Sequence, residues 1–206
     1  GGKYGIIDST GSFLLEPAFH RIYDCKSGYF RYKNGDYFGF INIEGKITLE
    51  AIFEEAHDFN EGLAVASNAL GFGLINPSGK WVVEPIWDQL LYLGEGRWAI
   101  EKFGKFGMID ATGKVLFSPQ FDIVYHFSEG FAPYMDDGLW GYLKMDGSFL
   151  TEPVFPLAWG FSDLTARVAT YQGECYIDTS GQVKLPPRYV LARDFSEKVA
   201  RVQPLY

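Results

Sequence analysis

Apolar positions along this chain come in short runs of three or four residues, and glycine or other turn-forming residues separate each run from the next. In the representative stretch 85–119, the runs occupy residues 90–93, 98–100, 106–109 and 115–117. β-Branched and aromatic residues dominate them, and none is long enough for a stable amphipathic helix. The pattern therefore predicts four short β-strands in this stretch and an all-β fold.

The same pattern recurs six times with a period of 34 residues. The approximate repeats are 3–36, 37–70, 71–104, 105–138, 139–172 and 173–206, so they fill nearly all of the 206 residues. We therefore predict a single domain over residues 1–206. Periods of this length are typical of propellers, solenoids and arrays. The period is marked by six glycines: Gly11, Gly45, Gly79, Gly113, Gly147 and Gly181.

Four antiparallel strands in each repeat predict a propeller blade, so the chain is predicted to be a six-bladed β-propeller. The chain begins with the third strand of a repeat and ends with the second strand of another. We expect these terminal strands to share one blade and to close the ring, which would remove exposed sheet edges. The alternative is an open β-solenoid of stacked hairpins, because 34 residues is short compared with the typical blade length of about 40–45.

Comparison between repeats indicates which strand positions form the core. One position of the third strand is apolar in every copy, and we predict that it is buried: Ile7, Ile41, Ile75, Ile109, Leu143 and Ile177. A turn position carries an acidic residue in five copies: Glu61, Glu95, Glu129, Asp163 and Glu197, with Ser27 in the first. We interpret these carboxylates as acceptors for the backbone N–H groups of their own turns. A carboxylate ring that attracts a cation or a basic peptide is the alternative.

Composition excludes several classes of function. The net charge is −8 and no lysine or arginine cluster is present, so we expect no nucleic-acid binding. No run approaches the roughly 20 apolar residues of a membrane span, so we predict a soluble monomer without membrane insertion. The Gly-Gly start lacks the pattern of a signal peptide, which leaves the localisation unknown. The two cysteines, Cys25 and Cys175, occupy different repeat positions, so we predict that both thiols are free and that one of them fills space in the core.

Nothing in the sequence points to catalysis. The three histidines, His20, His57 and His126, occupy different positions of the repeat, so they do not predict a shared metal-ligand set or a Ser-His-Asp arrangement. We therefore expect no enzymatic activity, no cofactor and no metal.

One position of the first strand varies from repeat to repeat, in contrast to the structural positions. It holds Tyr23, His57, Leu91, Tyr125, Trp159 and Arg193. If the first strand lines a channel, these side chains gather at one mouth and form a binding surface; an unconstrained solvent-exposed face is the alternative. Trp98 occupies a position that is alanine in four other repeats. Its indole either protrudes as a binding platform or fills a local gap.

The repeat motif resembles that of the WG-repeat (KWG) family. The fourth repeat carries it best, as an aromatic-Gly pair, Phe106-Gly107, followed by Met108-Ile109-Asp110-Ala111-Thr112-Gly113-Lys114, and later as Phe127-Ser128-Glu129-Gly130-Phe131-Ala132. The resemblance covers the whole chain, although only Trp140-Gly141 has the Trp-Gly pair itself. It implies a bacterial-type repeat module and offers no catalytic residues to carry over.

Together these observations predict a non-catalytic binding or scaffold module that engages a protein or peptide partner. The candidate contact residues are Tyr23, His57, Tyr125, Trp159, Arg193 and Trp98. A carbohydrate-binding, lectin-like propeller is the alternative, suggested by the aromatic content. The candidate aromatic residues are not repeated in every copy, which favours a protein partner.

Overall fold

A computed structural model describes residues 2–204. Within that range all of the regular secondary structure is β, in 22 strands that form antiparallel sheets. The all-β prediction is therefore confirmed. Contacts divide the chain into two compact units, residues 1–91 and 92–206, while a single domain over residues 1–206 stays a prediction.

The first unit contains three sheets among its described residues. Their strand orders are β1-β2, β3-β4-β5-β6 and β7-β8-β9. In the third sheet the first segment is present as a bridge between Ala56 and Ala66 instead of a full strand. The strands are β1 (Tyr4–Ile7), β2 (Phe13–Phe19), β3 (Arg21–Lys26), β4 (Tyr29–Asn34), β5 (Tyr37–Asn42), β6 (Ile47–Phe53), β7 (Ala64–Asn68), β8 (Gly71–Ile75) and β9 (Trp81–Trp87).

The second unit begins within β10 (Gln89–Gly94). The strands that follow are β11 (Arg97–Lys102), β12 (Lys105–Asp110), β13 (Val115–Phe121), β14 (Ile123–Val124), β15 (Phe131–Asp136), β16 (Leu139–Lys144), β17 (Phe149–Phe155), β18 (Leu157–Ser162), β19 (Thr165–Thr170), β20 (Gly173–Asp178), β21 (Val183–Ala192) and β22 (Val202–Pro204). The sheet orders are β10-β11-β12-β13, β14-β15-β16-β17 and β18-β19-β20-β21-β22.

Each complete sheet follows chain order from the first strand of a repeat to the fourth, as the sequence predicts, and this is the strand order of a propeller blade. The predicted sharing of a blade by the terminal strands is not observed in residues 2–204. There β1 pairs with β2, and β22 pairs with β21. Strand β21 runs through ten residues, so it serves both as a fourth strand and as the partner of β22.

The predicted apolar register of the third strand is buried in five of its six positions. Its members from Ile41 to Ile177 are at most 1% exposed. Ile7 is the exception, at 57% exposure, so its assignment to the core is wrong. Its sheet contains only β1 and β2 among the described residues, and Ile7 pairs with Phe13, which is also exposed.

The glycine of the aromatic-Gly pair is required by a close approach of two strands. A Cβ atom on Gly107 of β12 would lie 2.6 Å from the Pro119 nitrogen and 2.7 Å from the Phe117 carbonyl oxygen on β13. Backbone atoms cannot move aside locally, so a larger residue would separate the strands. The next turn follows its predicted chemistry as well, because Asp110 Oδ1 accepts from Thr112 N at 2.9 Å and Gly113 has a φ of +84°.

Three of the acidic turn residues, Glu95, Glu129 and Asp163, accept hydrogen bonds from the turn of the following repeat. Glu129 accepts hydrogen bonds from Asp163 N at 3.0 Å and Leu164 N at 2.9 Å. Glu95 accepts from Gly130 N at 3.1 Å. For these residues our own-turn interpretation is wrong: the repeat spacing brings the next turn's N–H groups within reach of each carboxylate.

Candidate functional site

The varied first-strand residues lie where the first strand bulges. The pairing of β3 with β4 shifts between Ile22 and Cys25. Tyr23 and Asp24 therefore share one opposite residue, Arg31. Such a two-to-one arrangement is a β-bulge, which bends the strand and re-aims its side chains, and bulges are common beside functional sites.

The fifth repeat has the same geometry. The pairing of β18 with β19 shifts between Ala158 and Phe161, so Trp159 and Gly160 lie opposite Arg167. In the second, fourth and sixth repeats, the residue at the same position donates a backbone hydrogen bond to the following segment. His57 N donates to Val65 O at 2.8 Å, Tyr125 N to Pro133 O at 2.9 Å, and Arg193 N to Arg201 O at 3.0 Å.

None of these five predicted residues belongs to the core. His57, Tyr125 and Arg193 are exposed, while Tyr23 and Trp159 are half-buried. The variation therefore falls on positions that are at least partly accessible to solvent.

Trp98 behaves differently, because its side chain is 0% exposed. The protruding platform is therefore wrong, and the indole fills space instead. Its ring centroid lies 5.2 Å from that of Tyr92. The indole Nε1 finds no acceptor among residues 2–204. Trp98 is thus a packing residue and not part of the accessible surface.

In the first unit, Arg31 organises the surroundings of Tyr23. Its guanidinium carbon lies 4.2 Å from the Tyr23 ring centroid, in a cation–π arrangement. The Nε atom of Arg31 lies 3.3 Å from Asp58 Oδ1, and Nη1 donates to Ala56 O. Arg21 also lies over the Tyr23 ring, at 4.6 Å. The Tyr23 ring therefore lies within 5 Å of two guanidinium groups.

His57 lines two neighbouring clefts of the first unit. One, of about 310 Å³, also includes Phe72 and Leu91. The other, of about 380 Å³, includes Arg31 and Asp58. Partial desolvation of the His57 ring, together with the positive charge of Arg31, lowers the pKa of His57 below its usual value. The neutral imidazole is therefore favoured near neutral pH.

In the second unit, Arg167 holds Trp159. The guanidinium carbon of Arg167 lies 3.6 Å from the Trp159 ring centroid, and Arg167 is only 5% exposed. Its charge is compensated by Glu174, 3.3 Å from Nη1, and by Asp194, 3.1 Å from Nε. Tyr142 fixes the backbone of Trp159, because the Tyr142 hydroxyl donates a hydrogen bond to Trp159 O at 2.6 Å. Trp159 is therefore held both at its ring and at its backbone.

Tyr125 and Trp159, which come from adjacent repeats, line one cavity of about 320 Å³. Tyr125 is 50% exposed, and its ring stacks on Trp140 with a centroid distance of 5.2 Å and an interplanar angle of 3°. We call this space the 125/159 cavity, and its wall also includes His126, Phe127, Pro133 and Gly160. The sequence-based grouping of Tyr125 with Trp159 is thus realised within the second unit, as is that of His57 with Leu91 in the first.

The sequence interpretation missed the arginines. Arg31 and Arg167 are 136 residues apart, which is four repeat lengths, and each has an aspartate 27 residues further on, Asp58 and Asp194. The aromatic residues beneath them, Tyr23 and Trp159, follow the same spacing. A search for recurring charge pairs between adjacent repeats would have found this arrangement.

The described residues include one acidic group, formed by Asp122, Asp136 and Asp137, whose carboxylate oxygens lie within 4.8 Å of one another. The Nζ atom of Lys105 lies 2.5 Å from Asp122 and 4.0 Å from Asp136. The hydrogen bond to Asp122 raises the pKa of Lys105. An ammonium group thus already compensates this cluster, and it carries no metal assignment.

Comparison with known proteins adds a family and a fold. A family model described as "WG containing repeat" matches residues 4–37, 38–68, 72–105, 106–140 and 176–203, which confirms the predicted resemblance. No curated protein sequence matches the chain. No helix in residues 2–204 has the length and apolar character needed to cross a membrane.

Solved structures resemble the chain at low identity. A crystal structure of a eukaryotic initiation factor aligns with a TM-score of 0.51 and 14% identity, over 88% of this chain and 60% of that one. Hsv2p of Kluyveromyces lactis aligns with a TM-score of 0.46 and 10% identity, over 81% and 64%. The C-terminal WD40 domain of Sif2 aligns with a TM-score of 0.40 and 10% identity, over 81% and 57%. The chain thus spans less than two thirds of these structures, and at such identity the likeness concerns the fold alone.

Proposed function

The chain belongs to the family of WG-containing repeat proteins, and from this premise we propose that it is a non-catalytic binding module whose first-strand bulges contact a protein or peptide partner. The observation that carries the proposal is the placement of the varied residues. Tyr23 and Trp159 lie on bulges, and His57, Tyr125 and Arg193 lie at the equivalent position of their repeats. All five side chains are at least partly exposed, so a change of side chain alters the surface without disturbing the core.

The residue types suit protein recognition. Tyrosine, tryptophan and arginine are the residues most enriched at energetic hot spots of protein interfaces. Four of the five proposed contact residues belong to these types. Arg31 lies on the Tyr23 ring and Arg167 lies on the Trp159 ring, and these contacts limit the freedom of both rings before a partner binds. Such pre-organisation lowers the entropic cost of association.

The surroundings of His57 offer no support for nucleophilic catalysis by a side chain at that residue. Neither of its two clefts includes serine, threonine or cysteine among the described lining residues. A histidine base therefore has no hydroxyl or thiol nucleophile to activate at this place.

A carbohydrate ligand is the alternative function. The exposed ring of Tyr125 beside Trp159 favours it, since aromatic faces can stack on sugar rings. A lectin-like module of repeats commonly presents equivalent sites in each copy, whereas this position carries five different residue types in six repeats.

We also propose that the six repeats form a closed, monomeric six-bladed propeller, with the open β-solenoid as the alternative. The order of strands within each complete sheet supports the blade assignment. Small-angle scattering tests the closure, because a closed ring gives the profile of a compact disc and a solenoid gives that of a rod.

Site-specific photo-crosslinking tests the binding proposal. A benzophenone amino acid replaces Tyr125 or His57, with Val115 on β13 as the control, since Val115 is 45% exposed and lies outside the bulges. In cells of the source organism, we expect discrete protein adducts from positions 57 and 125 and none of these from position 115. Identical adducts from all three positions, or no adduct from either position 57 or position 125, would contradict the proposal.

A further inference from the structure

We propose that the 125/159 cavity receives a proline-containing, extended segment of the partner protein. This inference rests on the proposed function and names the chemistry of the partner. Three properties of the cavity support it: its aromatic and mostly apolar lining, the lack of carboxylate and carboxamide side chains among its described lining residues, and its rigid wall.

The size and lining suit a small apolar ring. A volume of about 320 Å³ lies at the lower end of the roughly 300–1,000 Å³ found for ligand pockets. It therefore accepts a side chain or a short segment. The rings of Tyr125, Phe127 and Trp159 and the pyrrolidine of Pro133 line it. Aromatic-lined grooves are the recurrent docking sites for polyproline II segments.

The lining of the cavity is mostly apolar, and it includes Tyr125, Trp159 and His126. The Ser128 hydroxyl already donates to Phe161 O at 2.8 Å. No carboxylate or carboxamide side chain is found among the described lining residues.

A polyproline II segment suits such a lining. Its backbone carbonyls make no internal hydrogen bonds, and proline has no N–H that would require an acceptor. A sugar, in contrast, presents several hydroxyl donors, for which carboxylate and carboxamide side chains are the usual acceptors. A mostly apolar wall whose described residues include no carboxylate or carboxamide thus favours the prolyl segment over the sugar.

The wall is held in place before any ligand binds. Arg167 covers one part of the Trp159 ring, at 3.6 Å from its centroid, and Tyr142 holds the Trp159 carbonyl. Tyr125 stacks on Trp140. A polyproline II segment is itself stiff, so both partners lose little conformational freedom on binding.

Gly160 keeps the cavity open. The equivalent position carries a side chain in every other repeat: Asp24, Asp58, Tyr92, His126 and Asp194. A Cβ atom on Gly160 would approach only Ser128 Cβ, at 3.9 Å, which is an ordinary contact. Gly160→Asp therefore adds volume and negative charge to the cavity without a backbone clash.

The test is a titration of the whole chain with deca-L-proline, in which the NMR chemical shifts of the tryptophan indole groups report binding. We expect saturable binding of deca-L-proline. The comparison peptide is deca-L-alanine, which terminal lysines make soluble, and it should bind at least about tenfold more weakly. Gly160→Asp is expected to weaken deca-L-proline binding at least about tenfold. Ala111→Asp, which adds the same charge at an exposed turn outside the cavity, is the matched control and should bind as the parent does.

Three outcomes would overturn the inference: no saturable binding of deca-L-proline by the parent, unchanged binding by Gly160→Asp, or Gly160-dependent binding of an oligosaccharide in its place. If Gly160→Asp fails to fold, Tyr125→Ala replaces it, because Tyr125 is half exposed. If deca-L-proline does not bind but crosslinking at position 125 still gives protein adducts, the prolyl ligand is refuted and the proposed function is not.

Discussion

The carboxylate of Glu129 accepts a hydrogen bond from the backbone N–H of Leu164, 35 residues further along the chain, at 2.9 Å. Glu129 itself has a φ of +54°, a backbone conformation that glutamate adopts at a cost. The contact joins the turn of one repeat to the turn of the next. An acidic residue is therefore retained at a turn position where glycine would be less strained.

Removing this contact is expected to destabilise the fold. Glu129→Ala should lower the free energy of unfolding by about 1–2 kcal/mol, because two backbone N–H groups lose a charged acceptor. Glu129→Gln should lose less, since its amide oxygen still accepts one hydrogen bond. Urea denaturation of both variants measures the difference, with Glu84→Gln as a control on an exposed strand position. Equal stability of parent and Glu129→Ala would show that the contact contributes nothing.

Trp98 should be essential for packing although its indole N–H has no acceptor among residues 2–204. Trp98→Ala is expected to cost about 3–5 kcal/mol, as large-to-small changes in a core do. Trp98→Phe should cost much less, because it retains most of the ring and removes the unpaired N–H. Thermal unfolding distinguishes the two variants. A Trp98→Phe variant as unstable as Trp98→Ala would indicate that the indole N–H has a partner after all.

Two glycines should respond in opposite ways to the same substitution. Gly107→Ala places a Cβ atom 2.6 Å from the Pro119 nitrogen and should destabilise the protein by about 1–3 kcal/mol. Gly160→Ala meets only an ordinary contact and should be neutral or stabilising by up to about 1 kcal/mol, because alanine restricts the unfolded chain. Comparison of their midpoints in urea is the measurement. Similar midpoints would refute the close approach of β12 and β13.

His57 should titrate below the ordinary histidine pKa of about 6.5, because partial desolvation and the charge of Arg31 both disfavour its protonated form. A lowered pKa in the folded state means that protonation favours unfolding. The stabilising contribution of neutral His57 is therefore complete above about pH 6.5 and is lost as the pH falls through the folded-state pKa.

NMR titration of the His57 imidazole measures this shift directly. Arg31→Met should raise the pKa of His57, since it removes the nearby positive charge. Arg21→Met is the matched control, because Arg21 lies over the same Tyr23 ring and is not among the groups that shift His57. A pKa of His57 at or above about 6.5 in the parent would contradict the prediction.

Local patterns were sufficient for some parts of this description and not for others. The turn at Asp110 and Gly113 followed from its residue types, because the hydrogen bonds involved join residues two to four positions apart. The N–H groups that donate to the Glu129 carboxylate could not be predicted in this way, because both its own turn and the next one offer N–H groups. Choosing between them requires the distance between adjacent repeats. The burial of Trp98 required the same kind of information, since a large residue in a small position can equally fill a gap or protrude.

Periodicity and turn chemistry act over a few residues, so they were enough to predict the six repeats, the antiparallel strands and their order within each complete sheet. Three features could not be predicted in this way: Arg167 lies on Trp159, Tyr125 and Trp159 line one cavity, and Ile7 is exposed. Each of them depends on which side chains from different strands and repeats meet. Packing and burial are set by neighbours in space, and spacing along the chain does not specify those neighbours.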